Sequence, residues 1–174
     1  EFRRVLFRSA IAARTLQKEI HPKLKVAIID LDVHQGNGTA SILQNDPTIF
    51  TLSIHGENNF PFKKEASDLD LGLADGCNDH TYLQTLTHSL EALEMRFHPD
   101  FVIYLAGADP HEGDRLGRLN LTSAGMQLRD QAVFQYALDR QIPVAFSMAG
   151  GYGKDIQSTV EIHLQTIQTA LEFQ

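Results

Sequence analysis

A chain of 174 residues has room for one domain with a real core. Its formal net charge of −7 argues against the basic surface that phosphate binding needs, so no nucleic-acid partner is expected. Its 43% hydrophobic and 21% charged residues are ordinary for a globular protein, no apolar run has transmembrane length, and a lone cysteine, Cys77, excludes an internal disulfide. That cysteine usage suits a reducing compartment, so the cytoplasm is the expected location, with the nucleus possible for a eukaryotic source. Along the chain, residues 1–9 fit nothing around them. Glu1-Phe2 is what a common adaptor encodes, and the segment is set aside as non-native. Residues 10–20 then read as a helix. The β-branched run at 25–32 reads as a buried strand, followed by a helix over 36–44 from the Gly36-Asn-Gly38 turn and a strand over 48–54. Residues 55–78 are rich in Gly, Asn and Asp without clear periodicity, and read as one long functional connection.

The second half is more regular. Leu83, Leu86, Leu90, Leu93 and Phe97 recur at helical spacing after a cap at Asn78 or Asp79, which marks them as core. A strand is expected over 101–106. A helix capped by Thr122 should bury Met126, Val133 and Ala137. A strand over 143–148 follows, then a helix from about Asp155 with Ile156, Val160, Leu164, Ile167 and Leu171 on one stripe. Strands alternating with helices predict an α/β fold with a mostly parallel sheet flanked by helices.

Three of these strands end in chemically capable groups. Side chains at alternate positions of a strand share a face, so Asp30, Asp32 and His34 point the same way. The 101–106 strand runs into Gly107-Ala-Asp109, and the 143–148 strand into Gly150-Gly-Tyr152. Strand ends in open α/β sheets form the crevice where ligands bind. Two carboxylates and one imidazole there suit a divalent metal with open positions. The plainer reading is an Asp that caps the next helix and a His packed in a turn.

Asp30-Leu-Asp-Val-His-Gln-Gly-Asn-Gly-Thr39, Thr51-Leu-Ser-Ile-His55, Gly107-Ala-Asp109, Glu112-Gly-Asp-Arg-Leu-Gly117, Leu121-Thr122 with Gly125, and Gly150-Gly-Tyr152 resemble the histone deacetylase superfamily of zinc amidohydrolases. Gln35 and the Glu112–Gly117 run lean toward its class IV members and bacterial relatives. The resemblance implies an arginase/deacetylase-like fold and hydrolysis of acyl, chiefly acetyl, groups from lysine side chains or small amines. It implies one Zn²⁺ held by Asp32, His34 and Asp109, with Tyr152 donating to the oxyanion. It implies a K⁺ site from Ser53 and the carbonyls of Asp30, Asp32, His34 and Ile54, and a substrate tunnel walled by Phe60 and Gly151. Asp30 corresponds to the carboxylate that orients one histidine of the family's general-base pair. Asn37 stands where some members have an acidic partner for the second.

That histidine pair is absent, since all eight histidines here stand apart. Residues 10–174 are therefore expected to be the C-terminal part of one catalytic domain, inactive on its own. His55 and His111 are ambiguous, His80, His88, His98 and His163 are expected at the surface, and Arg115 is expected in an ion pair. Two other readings stand beside this one. One is a non-catalytic metal-binding or interaction fragment. The other is a binuclear manganese ureohydrolase, ranked low because Asp32-Val-His34-Gln-Gly36 and Ala108-Asp109-Pro110 lack the second-metal ligands of that family's Asp-x-His-x-Asp and Asp-x-Asp motifs.

Overall fold

Five apolar runs pair into one parallel sheet whose centre, β1 (Val26–Asp30), is buried along its whole length. The computed structural model describes residues 7–173. Around β1 are α1 (Arg8–Glu19), α2 (Asn37–Leu43), β2 (Ile49–Gly56), β3 (Leu69–Leu73), α3 (Asp79–Arg96), β4 (Phe101–Ala106), α4 (Ser123–Asp139), β5 (Val144–Met148) and α5 (Ile156–Leu171). The strand order is β3-β2-β1-β4-β5. The chain thus winds outward from β1 through β2 to β3, returns to β4 on β1's other side, and continues to β5. The reversal lies between β1 and β4, the switch point outside whose carboxyl ends ligands bind in such sheets.

Alternation along β1 assigns its two faces. Ala27, Ile29, Leu31 and Val33 enter a core shared with Tyr82, Leu86 and Leu93 of α3, Met126 and Val133 of α4, and Ile162 of α5. Val26 and Ile28 pack on the other side with Ile103, Leu105, Leu43 of α2, and Ala10 and Ala13 of α1. The capping signals act as their chemistry predicts, each satisfying otherwise orphaned amides. Asn78 accepts from the Thr81 amide, Thr122 from Gly125, and Asp155 from Gln157 and Ser158.

Several boundaries differ from the sequence reading. The first helix begins at Arg8, and Ser9, from the segment set aside as non-native, is buried within it; residues 1–6 lie outside the described residues. The 55–78 stretch is not one connection. β2 runs on through Gly56, and Leu69-Asp-Leu-Gly-Leu73 pairs with it as β3. Of the five expected core positions of α3, Leu83 is only half-buried. The largest difference concerns α5, which turns its apolar stripe outward. Ile156 is 79% exposed and even Ile167 is 41%, while Ile162, Thr166 and Thr169 face inward. On the inward face the Thr166 hydroxyl donates to the buried carboxylate of Asp130 at 2.6 Å. Replacing Leu93, fully buried, by Ala should cost about 2–5 kcal/mol, whereas Leu164→Ala on the outward stripe should stay within about 0.5 kcal/mol. Denaturant unfolding of the two variants checks this.

Candidate metal centre

Beyond Asp30 the hydrogen-bonded ladder of β1 stops, but its alternation continues. Leu31 and Val33 stay in the core, so Asp32 and His34 remain on Asp30's side. The segment is pinned from two directions. The Val33 amide donates to Asp109 Oδ1 at 2.9 Å, and the Gly56 amide donates to the Val33 carbonyl at 2.9 Å. Asp32 Oδ1 accepts from the His34 amide at 2.9 Å, and Asp32 Oδ2 accepts from the Gly150 amide at 2.6 Å. Gly150 carbonyl in turn takes the Ala108 amide at 2.6 Å, tying the β4 and β5 ends together. A side chain at Gly150 would overlap both carboxylates, so the close approach of this backbone requires glycine.

These bonds gather one donor atom each from Asp32, His34 and Asp109 within 4.8 Å of one another. His34 Nδ1 lies 3.0 Å from Asp32 Oδ1 and 3.1 Å from Asp109 Oδ2. Asp109 is fully buried and His34 nearly so. Burial works against a charged imidazole, but hydrogen bonds and charge from Asp109 and Asp32 prevail and push His34 up to about 10. Burial, then the Asp32 charge, lifts Asp109 to about 7. Burial would also lift Asp32, yet its bonds to His34 and Gly150 hold it below the usual carboxylate range. A proton on His34 is thus the cation between two carboxylates, and a divalent ion fits the same three donors with higher charge. One nitrogen and two carboxylate oxygens are ligands that zinc accepts.

The remaining predicted residues surround this trio in different ways. Asp30 is buried and accepts the Asp32 amide at 3.1 Å; burial and the Asp32 charge raise its pKa well above the ordinary value. Asn37 opens α2, with its Oδ1 buried and without a hydrogen-bond partner. Ser53 sits beside Asp30 in the sheet register, and its hydroxyl lies 2.9 Å from His55 Nδ1. Ile54 and His55 are buried next to it. Phe60 is 48% exposed, its ring edge-on to Phe62 at 6.1 Å.

Tyr152 is fixed through its backbone: its amide donates to Asp114 Oδ2 at 2.5 Å, and its carbonyl accepts from Arg115 Nε at 3.0 Å. Arg115 therefore serves that carbonyl, not an ion pair as expected. Tyr152 and Gly150 border a cavity of about 780 Å³, floored by apolar residues such as Phe101, Ile103 and Leu105.

Three contributors were not read from the sequence as parts of the site. Asp114 also accepts the Leu116 and Gly117 amides, so one carboxylate organises the loop that holds Tyr152. Gln35, read only as a family marker, donates to the Glu65 carbonyl and Asp70 and accepts from the Glu65 amide, clamping the Phe60-bearing loop. His163 is not a surface residue: it is half-buried, with Nδ1 enclosed and unpartnered, and burial lowers its pKa. His111 spends its ring on the Gly113 amide and the Ser123 hydroxyl.

Residues 6–167 match the sequence model of the histone deacetylase domain. An uncharacterized protein of Picosynechococcus sp. is 50% identical over 154 residues, 88% of this chain and 51% of that protein. Histone deacetylase 2 of Arabidopsis thaliana is 37% identical over 133 residues, 75% of this chain and 34% of its own length. Among solved structures, a histone deacetylase homologue from Aquifex aeolicus superposes with a TM-score of 0.79 at 23% identity, covering 93% of this chain and 45% of its own. An acetylpolyamine aminohydrolase from Burkholderia pseudomallei gives 0.79 at 21% identity, covering 94% and 49%. The chain spans about half the length of the first of these relatives and a third of the second.

Two pH effects follow. Metal uptake requires a neutral His34 and an ionised Asp109, so Zn²⁺ binding at pH 7 should release at least about one proton and tighten as pH rises. Calorimetry in buffers of different protonation enthalpy measures that release. His55, 3% exposed, is depressed by burial to about 4, below its unfolded value of 6.5. Its contribution to stability is therefore present above pH 6.5 and lost as pH falls toward 4. Between pH 6.5 and 5 the loss should be about 2 kcal/mol. His55→Gln should flatten that acid limb in denaturant titrations.

Proposed function

Since this chain belongs to the histone deacetylase family, we propose that it carries the metal-binding part of a zinc-dependent amidohydrolase that removes acetyl groups from lysine side chains or small amines. The observation that carries this reading is the gathering of Asp32, His34 and Asp109 at the β1/β4 switch point. A small-amine substrate draws support from the acetylpolyamine aminohydrolase, whose fold this chain shares.

An amide is a poor electrophile and neutral water a poor nucleophile. Zn²⁺ bound by the trio supplies Lewis acidity and lowers the pKa of water toward neutrality. Two anionic ligands temper that acidity, which leaves a need for a second electrophile. Tyr152 meets it by donating its phenol to the oxyanion, on a backbone that Asp114 and Arg115 hold in place. Phe60 and Gly151 wall the acyl-chain path. Asp30 and the unpartnered Oδ1 of Asn37 are acceptors for the two histidines of the family's base pair. Ser53, beside Asp30 in the sheet register, would hold K⁺ together with the carbonyls of Asp30, Asp32, His34 and Ile54.

No two histidines are adjacent in these 174 residues, so this chain alone should be essentially inactive on acetyl substrates. A positioned general base contributes about 10²–10⁴-fold. The test assays an acetyl-lysine peptide and an acetylated polyamine with the zinc-loaded chain and with a longer version that includes the histidine pair. In the longer version, Tyr152→Phe should lower kcat by about 10²–10³-fold with zinc content unchanged. Equal turnover by the two lengths, or by the Tyr152→Phe variant, would overturn the assigned roles. Zinc binding without turnover in the longer version would favour a non-catalytic metal-binding module.

A further inference from the structure

Arg129 is an arginine with no solvent exposure, on α4, with no role assigned to it above. Burying a guanidinium costs several kcal/mol unless it is fully bonded. Its bonds show what it does. Nε and Nη2 donate to Asp130 Oδ1 at 2.9 and 2.7 Å. That carboxylate is itself locked by the Tyr104 hydroxyl at 2.5 Å and, through Oδ2, by the Thr166 hydroxyl of α5. The plane of the guanidinium is thereby set, and Nη1 is left to reach the sheet. It donates to the Gly107 carbonyl at 2.6 Å, with the Leu31 carbonyl 3.5 Å away.

Those two carbonyls mark where β1 and β4 part. The last paired residues are Asp30 and Leu105, and the Leu31 amide still donates to the Leu105 carbonyl. One step further the strands diverge toward Asp32 and Asp109. Gly107 lies hard against both: a Cβ there would stand 2.8 Å from Asp109 Oδ1, 2.8 Å from Asp32 Cα and 3.0 Å from Asp32 Oδ2. A shift of the Gly107 peptide therefore moves both carboxylates.

We propose that Arg129 is a positioning residue for the metal centre, a fixed cation that pins the Gly107 peptide where β1 and β4 diverge and so sets the separation of Asp32 and Asp109. The inference rests on the metal reading of that trio. The Asp130 carboxylate beside it cancels most of its charge at the site, so its action is geometric. A lysine keeps the charge but has one nitrogen to share between Asp130 and Gly107, and loses the fork.

The test titrates Co²⁺ into the purified chain and into Arg129→Lys and Arg129→Met, reading affinity and the visible d–d absorption. Circular dichroism and thermal midpoints identify the variants that remain folded. Arg140→Lys, at the exposed end of the same helix, is the control. Arg129→Lys should bind Co²⁺ about 10–100-fold more weakly, the usual cost of losing an outer-shell contact, with an altered d–d band. A purely structural role would lower the thermal midpoint and leave the spectrum of the folded protein unchanged. That result, or an unchanged affinity in either folded variant, overturns the proposal. If neither variant folds, the unaltered chain decides. Zn²⁺ should shift the NMR signals of the Arg129 Nε–H and of the Ala108 amide, and saturation without those shifts overturns it. Failure of the unaltered chain to bind Co²⁺ or Zn²⁺ would sink the metal reading itself, and this inference with it.

Discussion

Two carboxylates, Asp32 and Asp109, share one imidazole nitrogen in a place that water hardly reaches, and the upper edge of the sheet is arranged around that placement. Like charges this close repel, and burial raises the cost of each. The chain meets that cost with backbone amides from Val33, His34 and Gly150. Two of these amides follow the end of β1 and the third follows the end of β5. Strand order, glycine placement and loop paths are therefore not independent choices. Moving β5 away from β4 would remove the Gly150 amide from Asp32 and the Ala108–Gly150 bond together.

A second ring of polar bonds supports the first. Asp114 organises the loop around Tyr152, Gln35 clamps the Glu65 peptide, and Arg129 with Asp130 braces the sheet from beneath. Each uses a side chain with several donors or acceptors, and nearly all of them are engaged. Half-satisfied buried networks are costly, and fully satisfied ones specify a single arrangement. Among the described residues the exceptions are Asn37 Oδ1, Tyr82 Oη, His163 Nδ1 and Thr169 Oγ1, which are enclosed without partners.

Much of this was legible in the sequence because its causes are local. Alternation and β-branching marked β1, β2, β4 and β5, and Asn78, Thr122 and Asp155 marked three helix starts. Asp32, His34 and Asp109 were legible because a carboxylate at the end of an apolar run has few structural uses. β3 was missed because its five residues include Asp70 and Gly72, which dilute a short edge strand's pattern. The orientation of α5 was not legible at all. Its apolar stripe suggests an inward face, yet Ile162, Thr166 and Thr169 face inward, with Thr166 bonded to Asp130, and the stripe faces outward. Arg129 was hidden for a related reason, since an Arg-Asp pair on a helix ordinarily faces solvent.

The hydrogen bonds on the two carboxylates also bear on which ions the centre accepts. Asp109 turns Oδ1 to the Val33 amide and only Oδ2 to His34. Both Asp32 oxygens already hold a backbone amide. These bonds occupy part of each carboxylate's acceptor capacity, and the trio itself supplies only three ligand residues. Calcium seeks six to eight oxygens, often from two-toothed carboxylates, and is poorly served by such a set. Small ions content with four or five partners lose nothing. If the trio holds a metal, this arrangement would therefore favour small ions that take four or five partners over calcium.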